Sequence, residues 1–198
     1  MSRDTQLSDS DGVVLVKTAR KAVTEFLSNG NRMKLESDLE EKFSFNSGVF
    51  VTLNNPDGLR GCIGFPMPEK KLADAIIDGA IAAATEDPRF PSVKINELND
   101  IVFEVTVLTP PVEIDVSDPM EYLEKIKVGR DGLIIRHYFS SGLLLPQVPV
   151  EYGWNTEEFL QHTCEKAGLA RDTWKNENVK IEKFEGICLL YTSDAADE

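Results

Sequence analysis

Amphipathic helical stripes alternate with short β-branched runs along this chain, and that mixture predicts an α+β fold. Three observations carry the expectation. Val14, Leu15, Ala19, Ala22, Val23, Phe26 and Leu27 recur at helical spacing and stop at Asn29-Gly30. A second, alanine-rich stripe over 69–86 (Leu72, Ala75, Ile76, Gly79, Ala80, Ala83) follows Pro68 and ends at Asp87-Pro88. The third is a series of strand-like runs separated by turn residues, as in an antiparallel meander.

Taken in order, residues 2–12 read as a polar arm and the first stripe as a core-packing helix. A short helix is expected after Ser37, whose spacing to Glu40 fits a capping box. Phe43-Ser44-Phe45 and Val49–Leu53 read as strands joined across Asn46-Ser47-Gly48. Asn54-Asn55-Pro56-Asp57-Gly58 then turns into Leu59-Arg60-Gly61-Cys62-Ile63-Gly64. After the alanine-rich helix, Arg89-Phe90-Pro91 is a stiff loop able to carry Arg89 toward a site. Ile101 to Thr109 is a strand that places Glu104 among apolar residues. Pro119 to Lys125 suggests a short helix and Ile126–Val128 a short strand. Gly129-Arg130-Asp131-Gly132 turns into a strand over 133–139, and Leu143–Leu145 follows. Pro146-Gln147-Val148-Pro149 reads as a rigid segment presenting the Gln147 amide. Thr156 caps a helix over 157–167 closed by Gly168, and Val179 to Phe184 reads as a last strand. Residues 187–198 show no packing pattern and read as a non-native or disordered tail.

The chain has 198 residues, room for one domain or two small ones. With 21 basic and 34 acidic residues its formal charge is -13, which argues against a broad surface for nucleic acid or an anionic membrane. No apolar run approaches a membrane span. The polar start lacks the apolar core of a signal peptide, so a cytoplasmic location is expected. Three widely spaced cysteines, Cys62, Cys164 and Cys188, make neither a disulfide framework nor a zinc ribbon.

The chemistry is expected at the stretch 59–64. Glycines weaken a strand unless backbone or ligand approaches closely, so Gly61 and Gly64 ask for such a neighbour. On a regular strand Arg60 and Cys62 share a face, and a guanidinium beside a thiol favours the thiolate. Two readings of Cys62 stand: a nucleophile or redox thiol, or a small buried hydrophobe. Glu104 reads as a general base or as the partner of an arginine, and His137 as a base or a hydrogen-bonded core residue. Arg89 and Gln147 are candidate ligand contacts. Cys164 falls on the apolar side of its helix and reads as core. His162, with Glu158 and Glu165 on the same helix, reads as part of a solvated face, and no metal motif is recognised.

The motifs Phe50–Leu53, Leu59–Gly64, Asp87–Phe90, Glu104–Thr109, Gly129–Leu133 and Gly142–Val148 together resemble the AMMECR-one domain family, over about 13–184. That resemblance implies two subdomains over 1–186, with mixed or antiparallel sheets covered by helices and a cleft between them. It marks Leu59–Gly64 as the functional stretch. It further implies association with a Memo-like protein and a radical S-adenosylmethionine enzyme, and work on a small molecule or modification, with no cofactor specified. Two functions follow as alternatives. One is an enzyme using Cys62, Arg60, Glu104 and His137, with Gly61, Gly64, Arg89 and Gln147 holding the ligand. The other is a non-catalytic ligand- or protein-binding module in the same groove.

Overall fold

A computed structural model describes residues 7–176 and 178–190. The described residues divide into two compact units, one of residues up to 108 with 187–190 and one of residues between 109 and 186. Every strand pairing described below is antiparallel.

Unit 1 is built on β1 (Gly48–Asn55), with β2 (Gly58–Phe65) on one side and β3 (Val102–Leu108) on the other. The alternation of β1 decides which face is covered: Val49, Val51 and Leu53 are fully buried, whereas Phe50, Thr52 and Asn54 are half-exposed. Helices α1 (Asp9–Asn29) and α3 (Leu72–Thr85) pack on each other; α3 contacts β1 and β2, and α1 contacts β3. Leu15, Ala19, Leu72, Ile76, Ala80, Phe103 and Val105 fill the layer between helices and sheet. Ser8 and Asp11 form a capping box at the start of α1, and Gly30, at φ 76°, closes its end.

Several sequence expectations are corrected here. Phe43–Phe45 is not a strand: it follows α2 (Ser37–Lys42), and the carbonyls of Phe45 and Phe43 accept the Leu72 and Ala73 N–H groups. The first turn of α3 has orphan donors and no side-chain cap, so this segment serves it better as a cap than as a strand. The expected Ser37 capping box is absent, because α2 begins one residue earlier, with Glu36 at its cap position. Ile187–Leu190, assigned to the tail from sequence, belongs to β7 (Lys180–Leu190), whose far end lies beside β3. The Leu189 side chain there fills the space that a Cβ on Gly12 would need. Residues 191–198 lie outside the described residues.

Unit 2 centres on β5 (Asp131–His137), flanked by β6 (Ser140–Leu144) and by the first part of β7, which also pairs with β4 (Val112–Glu113). Helix α6 (Thr156–Lys166) covers β5 and β6. Leu133, Ile135, Phe159, Leu160, Cys164, Trp174 and Ile181 form its core. The start of α6 is capped by Asn155, not Thr156, through a capping box with Glu158. Helix α4 is short (Tyr122–Lys125), and Ile126–Val128 is loop instead of strand. The segment at Gln147 is helical, α5 (Gln147–Tyr152), a helix the two prolines had hidden.

Candidate functional site

Strand β2 has two unlike edges. One pairs with β1; the other is sealed by the loop after α3. Asp87, almost fully buried, accepts the Cys62 backbone N–H at 2.8 Å, and Arg89 donates to the Cys62 carbonyl at 3.4 Å. Arg89 in turn grips both oxygens of Asp87, at 2.9 and 2.7 Å. This side-chain pair satisfies one donor and one acceptor of an edge strand as a neighbouring strand would. The Arg89 guanidinium holds the Asp87 carboxyl far below the usual carboxylate range, helped by the Cys62 N–H.

Because the Cys62 N–H and C=O face the loop, Cys62 and Thr52 form a non-hydrogen-bonded cross-strand pair, the type that brings side chains closest. The Thr52 hydroxyl accordingly donates to Cys62 Sγ at 3.3 Å. Across β1, Thr52 is in register with Glu104 of β3. Beyond Glu104 lies Cys188 on β7, whose thiol is pushed upward first by burial and then by the Glu104 charge. A polar row, Cys62, Thr52, Glu104 and Cys188, therefore crosses the half-exposed face of the unit 1 sheet. At the ordinary spacing of ~4.8 Å per strand its end thiols are about 14 Å apart, too far for a disulfide.

Arg60 has a different role from the one expected. The register of β1 and β2 shifts between Leu53 and Asn54, so that Leu53 faces Gly61, Asn54 faces Leu59 and Arg60 sits on a bulge. A bulge re-aims its side chain. The Arg60 guanidinium binds Glu97 through both oxygens, at 2.9 and 3.3 Å, and the Pro91 carbonyl at 2.9 Å. It is buried, and its charge is matched by Glu97. The cation beside Cys62 is Arg89, which donates to the Cys62 backbone carbonyl at 3.4 Å.

The two glycines are explained by packing. A Cβ on Gly61 would lie 2.1 Å from the Ala83 carbonyl oxygen of α3, and one on Gly64 would strike the Phe50 ring at 2.4 Å. Gly61 thus sets the approach of α3, and Gly64 lets Phe50 lie across the strand beside the polar row.

Of the eight candidates, Arg60, Gly61, Cys62, Gly64, Arg89 and Glu104 belong to unit 1 and gather around β2 and β1. His137 and Gln147 belong to unit 2. His137 pairs with Ser140 at the end of β5 and meets the Tyr138 ring edge-on at 4.5 Å. Gln147 is exposed at the start of α5. Cys164 is core, as expected, with burial pushing its thiol up to about 11. His162 stacks on Trp154 at 3.8 Å and bonds Glu165 at 2.7 Å. Sequence reading passed over Thr52, Asp87, Glu97 and Cys188. Only strand register or loop closure gives them a role, although Asp87, directly before Pro88, carried a helix-stop signal. Among the described residues, no three or more His, Cys, Asp or Glu are grouped to hold a metal ion.

The arrangement defines a class: a two-unit α+β protein in which a sealed edge strand presents a thiol on a half-exposed sheet face. The AMMECR1 family model matches residues 16–189, and the chain belongs to that family. A protein of Methanothermobacter thermautotrophicus is 50% identical over 179 residues, covering 90% of this chain and 93% of its own. One from Methanocaldococcus jannaschii is 52% identical over 181 residues, covering 90% and 89%. The crystal structure of an uncharacterized protein from Pyrococcus horikoshii superposes with a TM-score of 0.79 at 49% identity, covering 92% of each chain. Among the described residues, no helix is long and apolar enough to cross a membrane.

Proposed function

We propose that the unit 1 sheet face is the site of a small-molecule enzyme or modification factor in which Cys62 supplies the reacting thiol. The observation that carries this reading is the Thr52 hydroxyl donating to Cys62 Sγ at 3.3 Å on a face that α1 and α3 leave uncovered. A hydroxyl pointed at sulfur stabilises a developing thiolate, and the adjacent Arg89 guanidinium adds positive charge. Arg89 is half-exposed, so it also offers a contact for an anionic group of the ligand. Glu104, one strand beyond Thr52, is placed to receive a proton. Phe50 supplies an apolar wall.

In this reading Arg60, Gly61 and Gly64 shape the site without touching the ligand. The three free cysteines fit a reducing cytoplasm, and the Memo-like and radical S-adenosylmethionine partners implied by the family resemblance would supply or consume the ligand.

The test is alkylation of Cys62 by iodoacetamide at neutral pH, read site by site by mass spectrometry. Thr52→Val and Arg89→Ala are each expected to slow it about three- to tenfold, and Arg60→Lys to leave it near the parent rate. A Cys62 that reacts no faster than buried Cys164 would sink the thiol chemistry.

A further inference from the structure

Strand β6 ends the sheet, and among the described residues it pairs with β5 alone. The tight turn at Tyr138-Phe139 makes His137 and Ser140 a hydrogen-bonded pair, and the pairs alternate from there. Ser141 and Leu143 fall at the non-hydrogen-bonded positions, so their N–H and C=O groups point away from β5. The other side of β5 agrees. Ile181, opposite Ile135, turns its carbonyl away from β5 to accept the Ile114 N–H, which leaves Ile135 to bond with Gly142.

In unit 1 the outer edge of β2 is sealed at Cys62 by Asp87 and Arg89. Nothing comparable guards β6. No proline, lysine or bulge interrupts Ser140–Leu144, and residues 138–150 carry no charged side chain. The other long uncharged stretch, 43–56, holds β1, which is paired on both sides. By that comparison β6 lacks a neighbour. Both of its ends also carry exposed apolar side chains. At the turn, Tyr138 is 80% exposed and Phe139 fully so, with Tyr138 held at φ 50°, a left-handed conformation that bulky residues seldom adopt. Past Leu144 the chain enters α5, where Val150 and Tyr152 are 58% and 69% exposed.

We propose that this edge pairs, antiparallel and about a two-fold axis at Gly142, with β6 of a second copy of the chain. Ser141 exchanges both backbone hydrogen bonds with Leu143 of the second copy, and the axis repeats the exchange. Gly142 meets its own counterpart at the position where strands approach most closely, and it has no side chain to hold them apart. In that register Phe139 comes opposite Leu145 and the start of α5 in the second copy. The two exposed apolar ends are thus brought together by one symmetric pairing, which an unrelated extended peptide would have to match at each end separately. Two short strands alone make a small interface, and these ends enlarge it. No residue of the Cys62 face takes part, so either proposal stands without the other.

The test is sedimentation velocity of the whole protein from about 1 to 200 µM, with hydrogen exchange read by mass spectrometry at both extremes. The formal charge of -13 on each copy opposes association, so the salt is set near 0.15 M, where repulsion is screened beyond ~8 Å. A reversible dimer is expected, with slower exchange over 140–145 at the higher concentration. Phe139→Ser, in full solvent, and Ser141→Pro, which removes an N–H with no partner among the described residues, should each weaken the dimer about tenfold or more. Ile95→Ser, at an exposed apolar residue of unit 1, should leave it unchanged. A protein monomeric throughout, a dimer as strong in Phe139→Ser as in the parent, or concentration-dependent protection confined to residues outside 138–152 would overturn the proposal.

Discussion

The two units solve the same structural problems with the same pieces and leave different surfaces behind. Each places a glycine directly across from a phenylalanine on a neighbouring strand, Gly64 with Phe50 in unit 1 and Gly132 with Phe184 in unit 2. In both, the ring occupies the space a Cβ would take. Each also buries an aspartate against a neighbouring arginine, Asp87 with Arg89 and Asp131 with Arg130. The difference lies in the central strand. In unit 1, β1 alternates buried and half-exposed residues, whereas residues 131–135 of β5 are all buried. A strand buried on both faces has no room for chemistry on its surface. The thiol row therefore lies on the alternating sheet, and the surface that unit 2 offers is the edge of β6.

The strongest way to break this parallel is to fill the glycines. Gly61→Ala should destabilise by about 3 kcal/mol or more, because the intruding atom meets the Ala83 backbone carbonyl at 2.1 Å. Gly132→Ala should cost about 1–3 kcal/mol, since it meets only the Phe184 ring, which has some freedom to shift. Urea unfolding of both variants measures the difference, and equal costs would mean that α3 yields as readily as a side chain.

Next come the aspartates. Asp131→Asn and Asp87→Asn should each cost about 2 kcal/mol, because each leaves a charged or backbone donor poorly matched. In Asp131, burial works upward but the Arg130 guanidinium and the Lys127 N–H outweigh it, and the carboxyl sits below its usual range, as Asp87 does. A carboxyl depressed in the folded state contributes stability that is present above its unfolded value of roughly 3.9 and is lost as pH falls toward the folded value. Acid unfolding should therefore begin below about pH 4, and each asparagine variant should show a shallower loss there than the parent. A parent-like acid limb in both would remove these carboxylates from the account.

Smaller effects separate the helix starts. Ser8→Ala at α1 and Asn155→Ala at α6 each remove a capping-box acceptor and should each cost about 1 kcal/mol. At Ser37 no cap bond exists, and Ser37→Ala should be silent within about 0.5 kcal/mol in the same unfolding measurement.

Much of the fold was legible because local patterns state it. The stripes of α1 and α3, the Gly30 and Gly168 stops, the runs of β1, β2 and β3 and the core position of Cys164 all follow from periodicities and turn chemistry that need no distant partner. The composition of Phe43–Phe45 favours a strand, but the unsatisfied N–H groups at the start of α3 claimed its carbonyls. At Pro146–Pro149 the prolines masked a helix that the Gly153 stop completes at φ 68°.

The candidate site divides along the same line. Cys62, its glycines and Arg89 could be picked out from the chain, because a glycine-rich strand beside a proline-bounded loop is a local signal. Pairing Thr52 with Cys62, aligning Glu104 behind them, bringing Cys188 to the end of the row and turning Arg60 toward Glu97 all required strand register and a bulge. Register joins residues 10 and 52 positions apart, as Thr52 with Cys62 and Thr52 with Glu104. A one-residue slip would invert every face, so only the folded sheet assigns these neighbours.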